Sequence, residues 1–444
     1  MTQEATRTPV PVARGNGLAE VVARARTSVA VRDAVRAFAW SRIVIVAVAV
    51  FAALSVNVSE GRNATKFDAP QLTAPLGGAA DIVVSPLARW DAIWFLTIAN
   101  DGYGDQEIDE PRQAFFPLYP LLARGIGAAV SSGPGAVLLA AYMVALLSFL
   151  AALILLHRLT TLELGRQAAW PTLLLLCVFP GSLYFGAPYS ESLFLLCSVA
   201  AFCAARTDRW ALAGLAAGAA SATRSAGVLL VVPLLVMYLY GPRPSPSTVA
   251  NVWRPRYRIR PDLLWLAIAP AGLVAYAIYL GSAHGDPLSF SHVQEFWSRS
   301  FAGPFVGAWD AAVAAVEGAR QLLSGSRETV FFEQAGGDPF RVASQNIVLF
   351  GFLCFALVTT VGVLRRLPFA YGLYVILALA LPLSYPVEPQ PLMSLPRFLA
   401  VLFPIFMWLG AVCEERGLTE RVAIVSAIVL GLFVTQFATW QWVA

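Results

Sequence analysis

Charge is scarce in this chain. Only 13% of its 444 residues are Asp, Glu, Lys or Arg, while 58% are hydrophobic. A soluble domain carries about 25% charged residues, so a water-covered globular fold is excluded. Lysine is nearly missing: of 31 cationic side chains, all but Lys66 are arginine. That bias, with abundant alanine, fits a GC-rich bacterial genome. The five cysteines lie in or beside apolar runs and none forms a CxxC, so neither a disulfide framework nor a zinc site is indicated. No heptad pattern, no repeat of fixed period and no separate soluble domain is present. The net charge of +4 comes from arginines in loops beside hydrophobic runs, a positive-inside bias rather than a nucleic-acid surface.

What remains is a succession of long apolar stretches. Residues 1–36 form a polar, basic tail read as cytoplasmic, and residues 37–444 form a single transmembrane domain. A span needs about 20 mostly apolar residues. Phe38 to Val56 is the first, too long and too far along for a cleaved signal peptide. Further runs are Ala136 to Leu156, Ala168 to Phe185, Ser192 to Ala205, Leu263 to Leu280, Ile347 to Leu364, Pro368 to Leu383, Phe398 to Val412 and Val422 to Ala438.

Trp210 to Tyr240 reads as two half-spans broken near Thr223 to Gly227, because one span would place Arg243, Arg254, Arg256, Arg258 and Arg260 outside. A break at membrane depth needs protein or a wet cavity beside it, which points to Arg224. The expectation is an all-α polytopic bundle of about 11 helices in the cell membrane, its N-terminus cytoplasmic. Two large loops, about 57–135 and 281–346, then lie on the outer face.

The first of these loops contains "SPLARWDAIWFLTIANDGY", residues Ser85 to Tyr103. Ser85 and Pro86 are helix-start signals, and a helix is predicted from Pro86 to about Asn100, lying in the membrane interface. Asp91 falls in its middle beside Arg89 and Trp90. It reads as a solvated surface carboxylate, as a salt-bridge partner for Arg89, or as a general base at the membrane surface.

Other segments follow in order: "AFFPLYPLLAR" (Ala114 to Arg124), "FPGSLYFGAPYSESLFLL" (Phe179 to Leu196), "ATRSAGVLL" (Ala222 to Leu230) and, more faintly, "LPRFLAVLFP" (Leu395 to Pro404). Together with the Asp91 segment these resemble the PIG-V family, the glycosylphosphatidylinositol mannosyltransferase II proteins and their bacterial relatives. The chain departs from that pattern in having Ser-Ala-Gly after Arg224 and a longer acidic stretch after Tyr103. The resemblance implies a membrane glycosyltransferase of the GT-C type, with outer-face loops that carry short interfacial helices. It would take mannose or a related hexose from a polyprenyl-phosphate donor to a lipid or glycan acceptor. Asp91 would be its catalytic carboxylate.

Such a reaction needs a base for the acceptor hydroxyl and cations for the departing phosphate. Arginine offers paired donors suited to phosphate; Arg224 and Arg397 are the candidates, and snorkelling is the plainer reading of Arg397. Glu191 either caps a helix or binds acceptor. Arg89, Trp90, Tyr103 and Tyr189 complete the candidate substrate-binding set. Phe115, Phe116 and Tyr119 read as packing residues, and His284 and His292 as weak acceptor-site candidates. No cofactor is expected: Asp101, Asp105, Glu107, Asp109 and Glu110 read as a solvated acidic loop before a divalent-cation site. The competing readings are a transporter or lipid flippase, since broken helices serve transport too, and a non-catalytic assembly subunit.

Overall fold

The computed structural model describes residues 28–55, 69–104, 111–131, 133–244, 255–328, 338–441 and 443. Helices are the regular elements among the described residues, and several show why they begin and end where they do. The first, α1 (Val29–Ser55), starts inside the stretch read as tail. Short helices α2 (Pro70–Thr73) and α3 (Gly78–Val84) lead to α4 (Ala92–Asp101) and α5 (Leu118–Val130). The loop expected over 57–135 is therefore largely helical where it is described, with α4 buried in the bundle and α3 lying on its surface. The 31 residues of α6 (Pro134–Leu164) begin on a proline and stop at Gly165, which has φ +90°. A proline costs no donor in the first turn, and glycine accepts the left-handed stop.

The chain then forms α7 (Arg166–Val178), a tight turn at Pro180–Gly186, α8 (Glu191–Arg206), α9 (Trp210–Thr223) and α10 (Val231–Tyr240). After α11 (Ala271–His284) and α12 (Ser289–His292), α13 (Pro304–Ser324) packs against α14 (Pro339–Arg366). Asp338 caps α14 by accepting from the Phe340 amide at 3.1 Å, and Arg365 and Arg366 occupy the last turn, each suited to its end of the helix dipole. The chain closes with α15 (Phe369–Leu383), α16 (Leu395–Ala400), α17 (Phe403–Glu415) and α18 (Thr419–Ala438).

By length and composition, four of these helices could cross a membrane: α1, α6, α14 and α18. Counting three sharply bent pairs as one span each makes seven. The figure of about eleven is reached only if shorter apolar helices, such as α5, α9 and α15, are spans as well.

The bundle has two chemically different ends. At one, the arginine-bearing termini are tied by ion pairs: Arg206 to Glu163 at 2.6 Å, Arg243 to Asp208 at 2.7 Å and Arg366 to Glu415 at 2.6 Å. At the other end of α8 stands Glu191, where α9 ends and α16 begins. In between, Arg42 of α1 donates to the Ser182 carbonyl at 2.8 Å and to Ser182 Oγ at 2.6 Å. A buried cation is tolerated because these acceptors replace water. The same bonds fix the Pro180–Gly186 turn, on which α16 rests. A Cβ on Gly181 would stand 2.2 Å from the Pro396 carbonyl oxygen, so only glycine lets α16 approach this closely.

Candidate active site

Asp91 does not sit in mid-helix. The chain makes a single turn at Ser85–Leu87, bends by 117° and restarts as α4, with Asp91 as its N-cap residue. Trp90 at the corner has φ +59°, a left-handed conformation that costs a bulky residue about 1–3 kcal/mol. Packing holds it there: Trp90 meets the Trp440 ring edge-on at 5.6 Å, Arg89 lies 4.8 Å over the same ring, and the Tyr189 hydroxyl donates to the Arg89 carbonyl at 2.8 Å. Nor does α4 present an apolar face to lipid. Ala92 through Ala99 are all buried in the protein, because neighbouring helices cover both of its faces.

Arg397 is the ion-pair partner of Asp91, where Arg89 was one of the alternatives. Its Nη1 donates to Asp91 Oδ2 at 2.5 Å, and its Nε donates to Glu191 Oε1. That Glu191 oxygen also accepts from Arg224 Nη1. Glu191 is fully buried, and Asp91 and Arg397 are nearly so. Snorkelling thus does not describe Arg397, whose guanidinium stacks over Tyr184 and Tyr189 and bridges two carboxylates. Residues from four distant parts of the sequence meet here, each delivered by a helix end or a break.

Arg224 sits at the break expected in Trp210 to Tyr240. It leaves α9 in extended conformation, φ −155° and ψ 147°, before a short turn at Ser225–Leu230. Gly227 closes that turn: a Cβ there would lie 2.2 Å from the Ala220 carbonyl carbon. Arg397 follows a comparable device, since Ser394 has φ +71° just before α16.

Arg224 and Arg397 border a cavity of about 300 Å³ together with Ser225, Ser394, Trp297 and Arg299. Sequence reasoning missed Arg299. Its only signal was a lone arginine among aromatic residues in "FWSRSF". The turn at Ser298, φ +55°, and a bridge to Val387 place it. Its Nε is buried with no hydrogen-bond partner among the described residues. Burial pushes the Arg299 guanidinium down to about 10, with Asp91 opposing, so it stays cationic near neutral pH. Glu191 Oε2 is likewise buried and unpartnered among the described residues.

The other candidates fall elsewhere. Tyr103 donates to the Phe115 carbonyl at 2.6 Å and packs on Tyr276 and Tyr279, outside the arginine cluster. Phe115 and Phe116 line the cavity, whereas Tyr119 donates to the Ala141 carbonyl at 2.9 Å in the interior. His292 pairs with Asp286 at 2.7 Å on an exposed turn, and His284 packs against Tyr279. Asp105, Glu107, Asp109 and Glu110 lie outside the described residues.

Fold and site together define an all-helical polytopic membrane protein with an arginine-rich cavity at one end of its bundle. Residues 32–239 match the family model described as Mannosyltransferase (PIG-V), so the resemblance carried by the motifs is shown over that stretch, and the match is to a family of glycosyltransferases. Arg299 and Arg397 lie beyond it. The chain is 31% identical over 245 residues to GPI alpha-1,6-mannosyltransferase 2 of Mus musculus, covering 51% of this chain and 48% of that protein. The Homo sapiens protein of that name is 30% identical over 222 residues, 48% of this chain and 43% of its own length. The chain thus spans about half the length of the curated relatives it matches. Among solved structures, the oligosaccharyltransferase AglB of Archaeoglobus fulgidus aligns with 90% of this chain and 55% of its own, at 14% identity and a TM-score of 0.40; nothing about chemistry follows from that.

Proposed function

We propose that this protein is a GT-C type glycosyltransferase that moves mannose, or a related hexose, from a polyprenyl-phosphate donor to a lipid or glycan acceptor at the outer membrane face. The observation that carries this reading is the convergence of Arg224, Arg299 and Arg397 on one cavity, beside the carboxylates Asp91 and Glu191. Three guanidinium charges less two carboxylate charges leave one positive charge, which complements the single negative charge of a sugar phosphodiester. Guanidinium groups are well matched to phosphate oxygens.

In the proposed reaction the acceptor hydroxyl oxygen attacks the sugar's anomeric carbon. Its proton passes to Asp91, and the bond from that carbon to the phosphate oxygen breaks. The electron pair leaves on the polyprenyl phosphate, where the arginines meet the growing charge. A single displacement inverts the anomeric centre, giving an α-linkage from a β-linked donor. The phosphate is already a fair leaving group, so no separate acid is required.

The test is to incubate purified protein with radiolabelled polyprenyl-phosphate mannose and extracted cell lipids. Label should move to a lipid or glycan product. Movement of intact donor across a vesicle bilayer, with no new linkage formed, would instead support the flippase reading.

A further inference from the structure

A second cavity of about 750 Å³ opens along the outside of the bundle between α14 and α18. Its walls are apolar, with Leu349, Phe352 and Phe355 on one side and Val425, Val429 and Phe433 on the other. At one end its polar lining is neutral: Gln345, Gln390 and Gln436 with Ser344 beside them, and Gln390 donates to Gln345 at 2.5 Å. The only cation among its described lining residues is Arg421, 15 residues before Gln436 on α18 (436 − 421) and thus about 22 Å away along the helix.

This amide end adjoins the site. Met393 belongs to the wall of both cavities. Just past Gln436, Phe437 packs on Tyr184 and Tyr189, the rings beneath Arg397, and Trp440 packs on Trp90 beside Asp91. Arg224 and Arg299 border the other cavity only.

We propose that this groove binds the acceptor as a membrane lipid, with its hydrocarbon chain along α14 and α18 and an uncharged, hydroxyl-bearing headgroup at the three glutamines. The assignment rests on the transferase reading. Charge decides the occupant. A phosphate headgroup desolvated against neutral amides and a serine hydroxyl is costly, and the neighbouring cavity offers it three guanidiniums. Amides both donate to and accept from hydroxyls, which suits a neutral glycosyl headgroup.

Gly351 supplies the test, because it lines the groove and a Cβ there meets nothing within 4 Å. Gly351→Trp therefore fills the groove without crowding the fold. Gly431→Trp is the control, also in open space but not on the groove wall. The protein in vesicles is photolabelled with three diazirine-tailed lipids: a diacylglycerol monoglycoside, a polyprenyl phosphate and a phosphatidylcholine.

The glycoside should label α14 and α18 beyond the phosphatidylcholine, and Gly351→Trp alone should abolish this. In the transfer assay, Gly351→Trp should raise the half-saturating concentration of extracted lipid acceptor by about tenfold and leave that of the donor unchanged. Labelling of the groove by polyprenyl phosphate, equal labelling by phosphatidylcholine, or none at all overturns the proposal. So does an unchanged acceptor requirement. Glycoside labelling in a protein that transfers no sugar would leave a lipid site standing and remove the transferase reading instead.

Discussion

Arg397 Nη1 donates to Asp91 Oδ2 at 2.5 Å, joining residues 306 positions apart, while its Nε holds Glu191. One planar guanidinium thereby fixes the spacing of two buried carboxylates. An ammonium could not do the same, since it is a point charge without the fork.

Arg397→Ala should therefore lower stability by about 3–5 kcal/mol, the usual cost of leaving a buried ion without its partner. Arg397→Lys should unfold less readily than Arg397→Ala but still lose most transfer activity. Unfolding midpoints in detergent, read beside initial rates, check this. Equal midpoints for wild type and both variants would show that the bridge is not structural.

Arg299 has the opposite profile. Its Nε holds no partner among the described residues, so Arg299→Gln should leave stability within about 1 kcal/mol of wild type. A donor phosphate that uses this guanidinium would then bind at least about tenfold more weakly, since hydrogen bonds to charged groups contribute roughly 1.5–3 kcal/mol. Donor titration of the folded variant measures it. Unchanged donor affinity removes Arg299 from the phosphate site.

Much of this arrangement was legible in the sequence. The break at Arg224 followed from arginine parity in the loops, and the Asp91, Glu191 and Arg397 segments were each singled out. What the sequence could not convey was pairing. Arg89 is the near neighbour of Asp91 in the chain, but the corner at Trp90 turns Arg89 toward Trp440 and leaves Asp91 to Arg397. Arg299 escaped notice because nothing local marks it; only the fold brings its turn over the cavity. The helix expected from Pro86 onward does not form: Ser85 ends the preceding helix and makes no side-chain cap, and the chain bends after Leu87.

Gly227 offers a backbone test of the same site. A methyl group there would collide with the Ala220 backbone, so Gly227→Ala should force the Ser225–Leu230 turn outward and carry Arg224 away from Glu191. The expected cost is about 1–3 kcal/mol, with a larger fall in transfer than in stability. A variant with wild-type rate would mean that the position of Arg224 is not critical.

The central claim is that Asp91 is the base. The direct measurement is single-turnover transfer by Asp91→Asn, with donor binding measured on the same folded preparation. Asparagine keeps an acceptor for Arg397 and removes the proton sink. The account predicts intact donor binding and transfer slowed by about 10²–10⁴-fold, the usual cost of removing a general base. Wild-type transfer by folded Asp91→Asn would contradict it.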